Sequence, residues 1–491
     1  MRKIAIIGSG FSGLSAAAYS AKEGYEIHVF EKNAIPGGRA RQFQTENGYT
    51  FDMGPSWYWM PDIIHQFFTD HNLDYSNFYE LVSLNPQFEM IFENANMNVP
   101  ADFEELKKLC EELEPGSSIQ LDRFMKSAKY KYEVGMQEFV NKPCHSWFEF
   151  ASPKIGMSAL KLDLLSNFRS YVARYFKHPQ LIALMEFPVI FLGASPKDIP
   201  ALYSMMNYGG YYLGTWYPMG GFYKVVEAMV KVCEKYGVHF HFNSNVDEIV
   251  YSKNQVTGLN VNGEYLEFDA VIGASDYAHT ESLLPKALRN YSDQYWDKRT
   301  FAPSCLIYYL GFNTKLNGLK HHTLFFEHDL NHHISEIYDT PTWPEKPLFY
   351  VCSPSQTDPS VAPEGHENVF LLMPLAIGLQ DSEATREVYF QEMINRLQKH
   401  LGINNLFQHI DYKRSYCVSD FMADYNAYKG NAYGLANTLK QTAVLKPSIR
   451  NKKLKNLFYT GQLTVPGPGV PPAIISGRIV ANELTKLIKK R

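Results

Sequence analysis

The feature that most constrains this chain is a glycine pattern near its start, Gly8-Ser9-Gly10-Phe11-Ser12-Gly13. The pattern directly follows an apolar run at residues 4–7, which is typical of a buried parallel strand. An alanine-rich stretch at residues 12–23 predicts a helix that Gly24 ends. Residues 27–30 predict the next strand. Together these segments predict a βαβ unit.

The three glycines of this pattern suit a turn that binds a dinucleotide. Gly8 allows the tight turn, Gly10 lets a pyrophosphate approach the backbone, and Gly13 lets the helix pack close to the strand. The helix N-terminus offers free N–H groups and the positive end of its dipole to the phosphates. Glu31 stands 18 residues after Gly13, near the distance at which an acid accepts hydrogen bonds from a ribose hydroxyl. The sequence therefore predicts a dinucleotide-binding site.

A second glycine pair follows the acid closely, in Pro36-Gly37-Gly38-Arg39. Such a pair lets the chain run beside the pyrophosphate, and Arg39 is able to pair with its charge. An ordinary surface turn with a solvated arginine is the simpler interpretation of this segment taken alone. At this distance from Glu31, however, the combination resembles the flavin amine-oxidase superfamily.

Composition and charge exclude several classes of function. The net charge is -4 and no basic tract is present, so we expect no nucleic-acid partner. The six cysteines are scattered without a C-x-x-C pair, which indicates reduced thiols in a cytoplasmic protein. The best apolar stretch, residues 181–194, contains Glu186 and Pro188 and falls short of the ~20 residues that span a bilayer.

The order of predicted elements indicates an α/β (α+β) fold with a discontinuous nucleotide domain. Helical periodicity dominates residues 62–150, short strands dominate 238–275 and 304–374, and nucleotide signals stand at both ends of the chain. We predict a Rossmann-like dinucleotide-binding domain interrupted by a mixed sheet-plus-helix substrate domain. The predicted boundaries are 1–70, 215–300 and 440–491 for the first domain, and 71–214 and 301–439 for the second.

Three further segments resemble those of bacterial-type phytoene desaturases, in the flavin amine-oxidase-like superfamily. They are Asp-Met-Gly-Pro-Ser at 52–56, Ala-Ser-Asp-Tyr-Ala-His-Thr at 274–280, and the glycine- and proline-rich segment 457–471. The resemblance extends from residue 1 to about residue 484. It departs at Gln462-Leu463-Thr464-Val465, where Ala-Gly-Thr-His is commoner, and at Pro468 and Pro472, where Ala and Gly are usual.

The resemblance implies an FAD cofactor and a set of residues that contact it. The proline-rich segment would close over the flavin ring. The sequence contains no second G-x-G-x-x-G pattern, so we expect no nicotinamide partner. The expected cofactor contacts are Gly8, Ser9, Gly10, Phe11, Ser12, Gly13, Glu31, Lys32, Gly38, Arg39, Gly54, Pro55, Ser56, Val246, Asp276, Gly461, Gln462, Gly469, Val470 and Pro471.

The resemblance also implies an activity, the desaturation of phytoene to lycopene, with oxygen or a quinone as electron acceptor. Alternatives are a related desaturase of diapophytoene or hydroxycarotenoids, an amine oxidase, and a non-catalytic isoprenoid carrier. Because the substrate dissolves in lipid, we expect peripheral contact with a membrane surface, through apolar and cationic residues between 148 and 191. The alternative for this segment is a solvated cationic face over an ordinary core. The cationic residues of this segment are Lys154, Lys161, Arg169, Arg174 and Lys177.

A C40 polyene offers no charge, so its site must be apolar, and the aromatic content of 14% agrees with such a cavity. The expected pocket residues are Trp57, Tyr58, Trp59, Tyr208 and Trp216, with ordinary core packing as the alternative for each. Glu186 is the candidate for the base that removes a proton, since burial would raise its pKa, and a salt-bridged structural role is the alternative. Asp52 is a weaker candidate.

Five histidines in one segment suggest a metal site at first reading: His321, His322, His328, His332 and His333. Neighbouring residues on a strand point to opposite faces, so adjacent pairs are not expected to converge on one ion. The segment also contains no cysteine that would complete a zinc ligand set. The sequence therefore predicts no metal.

Overall fold

The computed structural model describes residues 1–150, 162–164, 166–190 and 193–489. The described strands are β1 Lys3–Ile7, β2 Glu26–Phe30, β3 Gln42–Gln44, β4 Thr50–Asp52, β5 Leu81–Ser83, β6 Phe88–Phe92, β7 Ala95–Val99, β8 Trp216–Pro218, β9 His239–His241, β10 Val246–Ser252, β11 Gln255–Val261, β12 Glu264–Glu267, β13 Ala270–Gly273, β14 Ser304–Phe312, β15 His322–Phe325, β16 Phe349–Cys352, β17 Glu367–Leu375, β18 Ile410–Tyr416 and β19 Leu457–Tyr459. The described α-helices are α1 Phe11–Lys22, α2 Pro61–Asp70, α3 Phe103–Leu113, α4 Ser117–Val134, α5 Phe168–Val172, α6 Pro179–Ile190, α7 Met205–Asn207, α8 Tyr223–Lys235, α9 Tyr277–Ser282, α10 Asp293–Asp297, α11 Leu330–Tyr338, α12 Glu383–Leu401, α13 Val418–Tyr425 and α14 Val470–Lys489.

A five-stranded parallel sheet, in the order β19-β13-β1-β2-β9, forms the nucleotide-binding half of the molecule. The residues of β1 alternate between two cores. Ile4 and Ile6 face the core that contains α1, α8 and α14, while Ala5 and Ile7 face the core that contains the three-stranded sheet β10-β11-β12. Burial on both faces explains why β1 is continuously apolar.

The first and last helices, α1 and α14, pack against each other at very close range. A Cβ added at Gly477 of α14 would lie 2.4 Å from the carbonyl oxygen of Ser12 and 2.6 Å from the Cβ of Ser15. The hydroxyl of Ser15 also donates to the carbonyl of Ile474 at 2.6 Å. These contacts join the first glycine-rich turn to the C-terminal segment.

A seven-stranded mixed sheet, in the order β18-β14-β17-β16-β15-β6-β7, forms the second half. Its pairs are antiparallel except for β15 with β6. One face packs on α12, through residues such as Leu306 and Phe390, and the other face packs on α4 to α7. This second face forms one wall of the functional cavity.

The observed architecture confirms the predicted α/β (α+β) fold class, since a parallel Rossmann-like sheet accompanies a mixed sheet with helices. The strands of the parallel sheet come from residues 3–30, 239–273 and 457–459, as a discontinuous domain requires. The domain boundaries given above remain a prediction. Across the described residues, no helix is both long and apolar enough to cross a bilayer.

Candidate cofactor and substrate site

A single cavity of about 900 Å³ runs from the ends of the parallel strands to the mixed sheet. Ile7, Phe30 and Ala274, at the carboxyl ends of β1, β2 and β13, line one end. Cys305 of β14 and Leu372 of β17 line the other. Ligands of open parallel sheets bind outside these carboxyl ends, so the cavity begins where a nucleotide is expected.

The backbone of the glycine-rich turn borders the cavity, and no described residue fills the space beside Gly10. Gly8 has a φ of +103°, which L residues rarely adopt, and a Cβ at Gly13 would lie 2.1 Å from the carbonyl oxygen of Gly8. A Cβ at Gly10 would meet no atom of the described chain within 4 Å. Gly38 approaches from the second glycine pair, with its Cβ position 3.3 Å from the Cα of Gly10. The turn therefore provides a cradle that a side chain at position 10 would fill.

Glu31 stands at the end of β2 and is firmly positioned. One carboxylate oxygen accepts from the backbone and hydroxyl of Ser9 at 3.0 and 2.8 Å, and the other accepts from the backbone and side chain of Asn33 at 2.9 and 2.8 Å. The carboxylate lies on the cavity wall. A ribose hydroxyl at this position would replace or share the hydroxyl contact of Ser9.

Arg39 brings a buried positive charge to the cavity. Its guanidinium donates to the carbonyl of Asn431 at 3.0 Å and lies 5.2 Å from the ring centre of Tyr425. Burial lowers its pKa, and Asp276 opposes that shift. The Nε of Arg39 has no hydrogen-bond partner in the described part of the chain. Because Arg39 lines the cavity, its positive charge would attract an anionic ligand there.

The C-terminal segment closes the cavity beside the first turn. Gly461, with φ +113°, would place a Cβ 3.2 Å from the hydroxyl of Ser12. Pro471 and Pro472 stand in the first turn of α14, where backbone N–H groups have no partner within the helix. The substitution of glycine by Pro472 is therefore compatible with the helix, and the N-terminus of α14 faces the cavity.

The structure brings nearly all predicted cofactor contacts to this one cavity. Gly13 lies beneath the turn and does not line it. Asp276 also has a structural role, because its carboxylate caps α9 by accepting a hydrogen bond from the backbone N–H of Ala278 at 3.0 Å. The predicted residues that line the cavity are Gly8, Ser9, Gly10, Phe11, Ser12, Glu31, Lys32, Gly38, Arg39, Gly54, Pro55, Ser56, Val246, Asp276, Gly461, Gln462, Gly469, Val470 and Pro471.

The predicted substrate residues divide into two groups. Trp57 and Trp59 line the cavity, whereas Tyr58, Tyr208 and Trp216 do not. Tyr58 is buried with its hydroxyl 2.8 Å from that of Tyr79. Tyr208 stacks on Tyr212 and Trp216 donates to the carbonyl of Leu213. These three side chains are core or edge packing, so the structure does not support a substrate contact for them.

Most of the apolar wall comes from residues that the sequence did not single out. Many of them lie on or beside strands β14 to β17 and on α11, where residues of one face alternate with residues buried in another core. Others, such as Met136, Phe187 and Ile190, lie between residues 136 and 206. Residues 424–426, at the end of α13, line the nucleotide end. They belong to the segment 424–428, which in sequence resembles a stretch near the flavin in the phytoene desaturases and is also explained by a polar turn. The apolar lining includes Cys305, Ile307, Leu324, Phe326, Ile334, Ile337, Tyr338, Leu348, Tyr350 and Leu372.

Glu186 does not occupy the position expected of a catalytic base. It lies in α6, is almost fully buried, and does not line the cavity. Both of its carboxylate oxygens accept from the guanidinium of Arg169 at 2.8 Å. A bidentate ion pair thus occupies both carboxylate oxygens. The ion pair with Arg169 and the position outside the cavity favour the structural alternative for Glu186 over the role of a base.

Asp52 also has a structural role. Its carboxylate accepts from the backbone N–H groups of Phe222 and Tyr223, at the start of α8, at 2.5 and 3.1 Å. The amide of Gln42 donates a third hydrogen bond at 3.0 Å. Burial raises the pKa of Asp52 to about 6, although these three donors lower it. Asp52 caps a helix and does not line the cavity.

The histidine segment is arranged differently from the expectation. The rings of His321 and His322 lie 4.5 Å apart, so these neighbours do approach one another. His321 precedes the first residue of β15, and strand alternation therefore does not separate the pair. His333 is engaged elsewhere, by the carbonyl of Pro374 and the backbone N–H of Leu348, both at 3.0 Å. The geometric reason for excluding a metal is wrong for His321 and His322.

These features define a class of protein: one that holds a dinucleotide cofactor beside a large apolar chamber. The family described as flavin containing amine oxidoreductase matches residues 11–485. The chain belongs to this family, and its cofactor is FAD. The open side of Gly10 and the unsatisfied donor of Arg39 fit that group.

Individual relatives agree with the family assignment. The chain is 38% identical to a carotenoid 3,4-desaturase of Haloarcula japonica over 98% of this chain and 97% of the relative. It is 29% identical to a zeta-carotene-forming phytoene desaturase of Myxococcus xanthus, over 98% and 94%. The solved structure of cyclohexylamine oxidase from Brevibacterium oxydans shares the fold, with a TM-score of 0.61, 15% identity and 99% of both chains covered.

The open space at Gly10 generates a test of the cofactor cradle. We expect Gly10→Leu to lower the flavin content at least ~10-fold, because the side chain fills the space through which the pyrophosphate approaches. Its φ of -71° suits any residue, so the far-UV circular dichroism should stay unchanged. Glu23→Leu adds the same side chain at the exposed far end of α1 and should retain its flavin. A fully yellow Gly10→Leu protein would contradict this cradle.

The pair between Glu186 and Arg169 generates a second test. We expect Glu186→Gln to lower the free energy of unfolding by about 1–3 kcal/mol, because the guanidinium loses its charged partner. Flavin content and turnover per folded molecule should not change. In the double variant with Arg169→Gln, the two losses should be less than additive. Slower turnover at unchanged stability would instead restore Glu186 as a catalytic residue.

Proposed function

We propose that this protein is an FAD-dependent desaturase of a linear carotenoid. The observation that carries the proposal is the continuity of one cavity from the nucleotide cradle to an apolar chamber. Among the described residues that line it, carboxylates occur only at the nucleotide end, as Glu31, Asp276 and Asp424. A hydrocarbon suits the remaining wall, because its binding energy comes from burial at roughly 25 cal/mol per Å².

The two ends of the cavity would have separate roles. When bound, FAD supplies the acceptor for the hydrogen pair that leaves adjacent carbons as the C=C bond forms. Gly10, Glu31 and Arg39 would hold the cofactor, and Trp57 and Trp59 would pack against the polyene. Closely packed apolar walls exclude water from the reacting carbons.

The chemistry of the wall distinguishes the alternatives. An amine oxidase would bind an ammonium group and needs polar groups near it, whereas the chamber is lined by side chains such as Leu324, Phe326 and Leu372. A non-catalytic carrier would not need the cradle formed by Gly10 and Arg39. Both observations support an enzyme that oxidises an apolar substrate.

The bond that is oxidised is a finer proposal. The sequence segments at 52–56 and 274–280 resemble phytoene desaturases and suggest phytoene as substrate and lycopene as product. The relative at 38% identity carries the name carotenoid 3,4-desaturase, and the phytoene desaturase relative stands at 29%. This difference favours the terminal 3,4 bond of a carotenoid that is already conjugated, with phytoene desaturation as the second candidate.

The proposal also includes the source of the substrate and the acceptor of the electrons taken from it. A lipid-soluble polyene favours contact with a membrane surface, and the side chain of Phe148 is 88% exposed in the region predicted for that contact. Arg174 and Lys177 are exposed there, Arg169 is paired with Glu186, and Lys154 and Lys161 lie outside the described residues. We propose oxygen or a quinone as the electron acceptor.

Product analysis tests the proposed reaction. The FAD-loaded protein would be incubated under identical conditions with liposomes that contain either phytoene or lycopene, and products would be separated by chromatography. We expect lycopene to gain a conjugated double bond at its 3,4 position, with a red shift in absorption. Conversion of phytoene with no reaction of lycopene would favour the second candidate. Failure with both carotenoids, together with peroxide release from amines, would contradict the proposal.

A variant of the chamber wall tests where the substrate binds. Leu372→Trp adds bulk to the apolar wall on β17, and Leu372 does not belong to the nucleotide end. We expect this variant to keep its flavin and lose most of its carotenoid turnover. Unchanged turnover would show that the substrate binds elsewhere.

A further inference from the structure

Three buried side chains behind the aromatic wall form a cluster that the proposed reaction does not use. His321, His322 and Cys352 each expose 5% or less of their surface. His322 and Cys352 are directly opposite one another in the pair of strands β15 and β16. The ligand atoms of all three residues lie within 4.8 Å of one another.

Each histidine has one occupied and one free ring nitrogen. The Nδ1 of His321 lies 2.8 Å from the hydroxyl of Thr357, and the Nδ1 of His322 lies 2.6 Å from the hydroxyl of Tyr350. The Nε2 of both rings is buried without a hydrogen-bond partner among the described residues. Metal-binding histidines commonly have one ring nitrogen fixed by an outer partner and the other nitrogen on the ion.

We propose that His321, His322 and Cys352 bind one Zn²⁺ ion. Two imidazole nitrogens and one thiolate suit zinc, and a water molecule or a fourth side chain would complete a tetrahedral set. Zinc bonds of 2.0–2.3 Å place neighbouring ligand atoms roughly 3.3–3.8 Å apart, so the side chains must close by about 1 Å. The site does not depend on the identity of the substrate proposed above.

Binding of zinc to the cluster would exchange one proton. A Zn–S bond would replace the S–H bond of Cys352 and release the thiol proton, with no electron transfer. Asp52 and Asp358 lie near the cluster and would offset the remaining charge.

The position of the site indicates its effect. The ring of Trp57, which lines the cavity, stacks on His322 at 4.1 Å. Tyr350 lines the cavity and connects His322 to Ser56, whose hydroxyl lies 2.9 Å from that of Tyr350. An ion here would link β15 to β16 and fix two aromatic residues of the wall. Its role is structural, not catalytic.

A second group, Glu26, His28 and His239, provides a built-in comparison. It lies at the edge of the parallel sheet and is partly exposed. Both nitrogens of His28 are occupied, one by His241 at 3.0 Å and the other by Glu26 at 3.1 Å. Because both ring nitrogens of His28 are already occupied, we expect weaker metal binding at this group.

Metal analysis and zinc K-edge absorption test the proposal. The FAD-loaded protein would be equilibrated with Zn²⁺, desalted against a weak chelator, and measured for zinc content and zinc–ligand distances. We expect one equivalent of zinc per chain with one sulfur near ~2.3 Å and two nitrogens near ~2.0 Å. Cys352→Ser and His322→Gln should each weaken binding by more than about tenfold, with flavin content unchanged.

Two further variants keep the test decisive. Thr357→Val removes the outer partner of His321, leaves all three ligands in place, and should weaken zinc binding even if a ligand variant folds poorly. His239→Gln disrupts the exposed group and should retain the zinc. Three results would overturn the proposal: no retained zinc, zinc without a sulfur ligand, or zinc that is lost in His239→Gln and retained in Cys352→Ser.

Discussion

The structure depends on the close approach of two helices from opposite ends of the chain. Gly477 lets α14 contact the backbone of α1 at Ser12, and any side chain there would separate them. This contact brings the segment at 461–471 over the turn that contains Gly10. Residues more than 450 positions apart in sequence thus form one cofactor site. The parallel sheet holds both helices, since its strands come from both ends of the chain.

The second constraint is that the mixed sheet is buried on both faces. One face packs on α12, and the other face packs on the helices that enclose the cavity. Residues such as Cys305 and Ile307 therefore serve as core and as cavity wall, while their neighbours Leu306 and Tyr308 pack on the opposite side. Large apolar side chains on both faces leave a chamber without carboxylates among its described lining residues, and this chemistry selects an apolar substrate.

The sequence was sufficient for the cofactor half and insufficient for the substrate half, for a physical reason. A phosphate cradle requires glycine at fixed positions, so Gly8, Gly10 and Gly13 leave a readable pattern. The strands of the mixed sheet carry no polar alternation, so sequence alone does not separate the wall of a cavity from ordinary core. Tyr58 is core and Tyr350 is wall, although both are buried tyrosines. Long-range partners, such as Arg169 for Glu186, leave no local pattern either.

The most direct test of this account is a crystal structure of the FAD-loaded protein soaked or crystallised with a carotenoid. We expect the pyrophosphate beside Gly10, the ribose near Glu31, and the flavin ring between residues 54–56 and 461–471. The polyene should extend from the ring past Trp57 toward Leu372. A flavin bound outside these segments, or a carotenoid in a cavity that does not reach the flavin, would contradict the central claim that one continuous cavity serves both molecules.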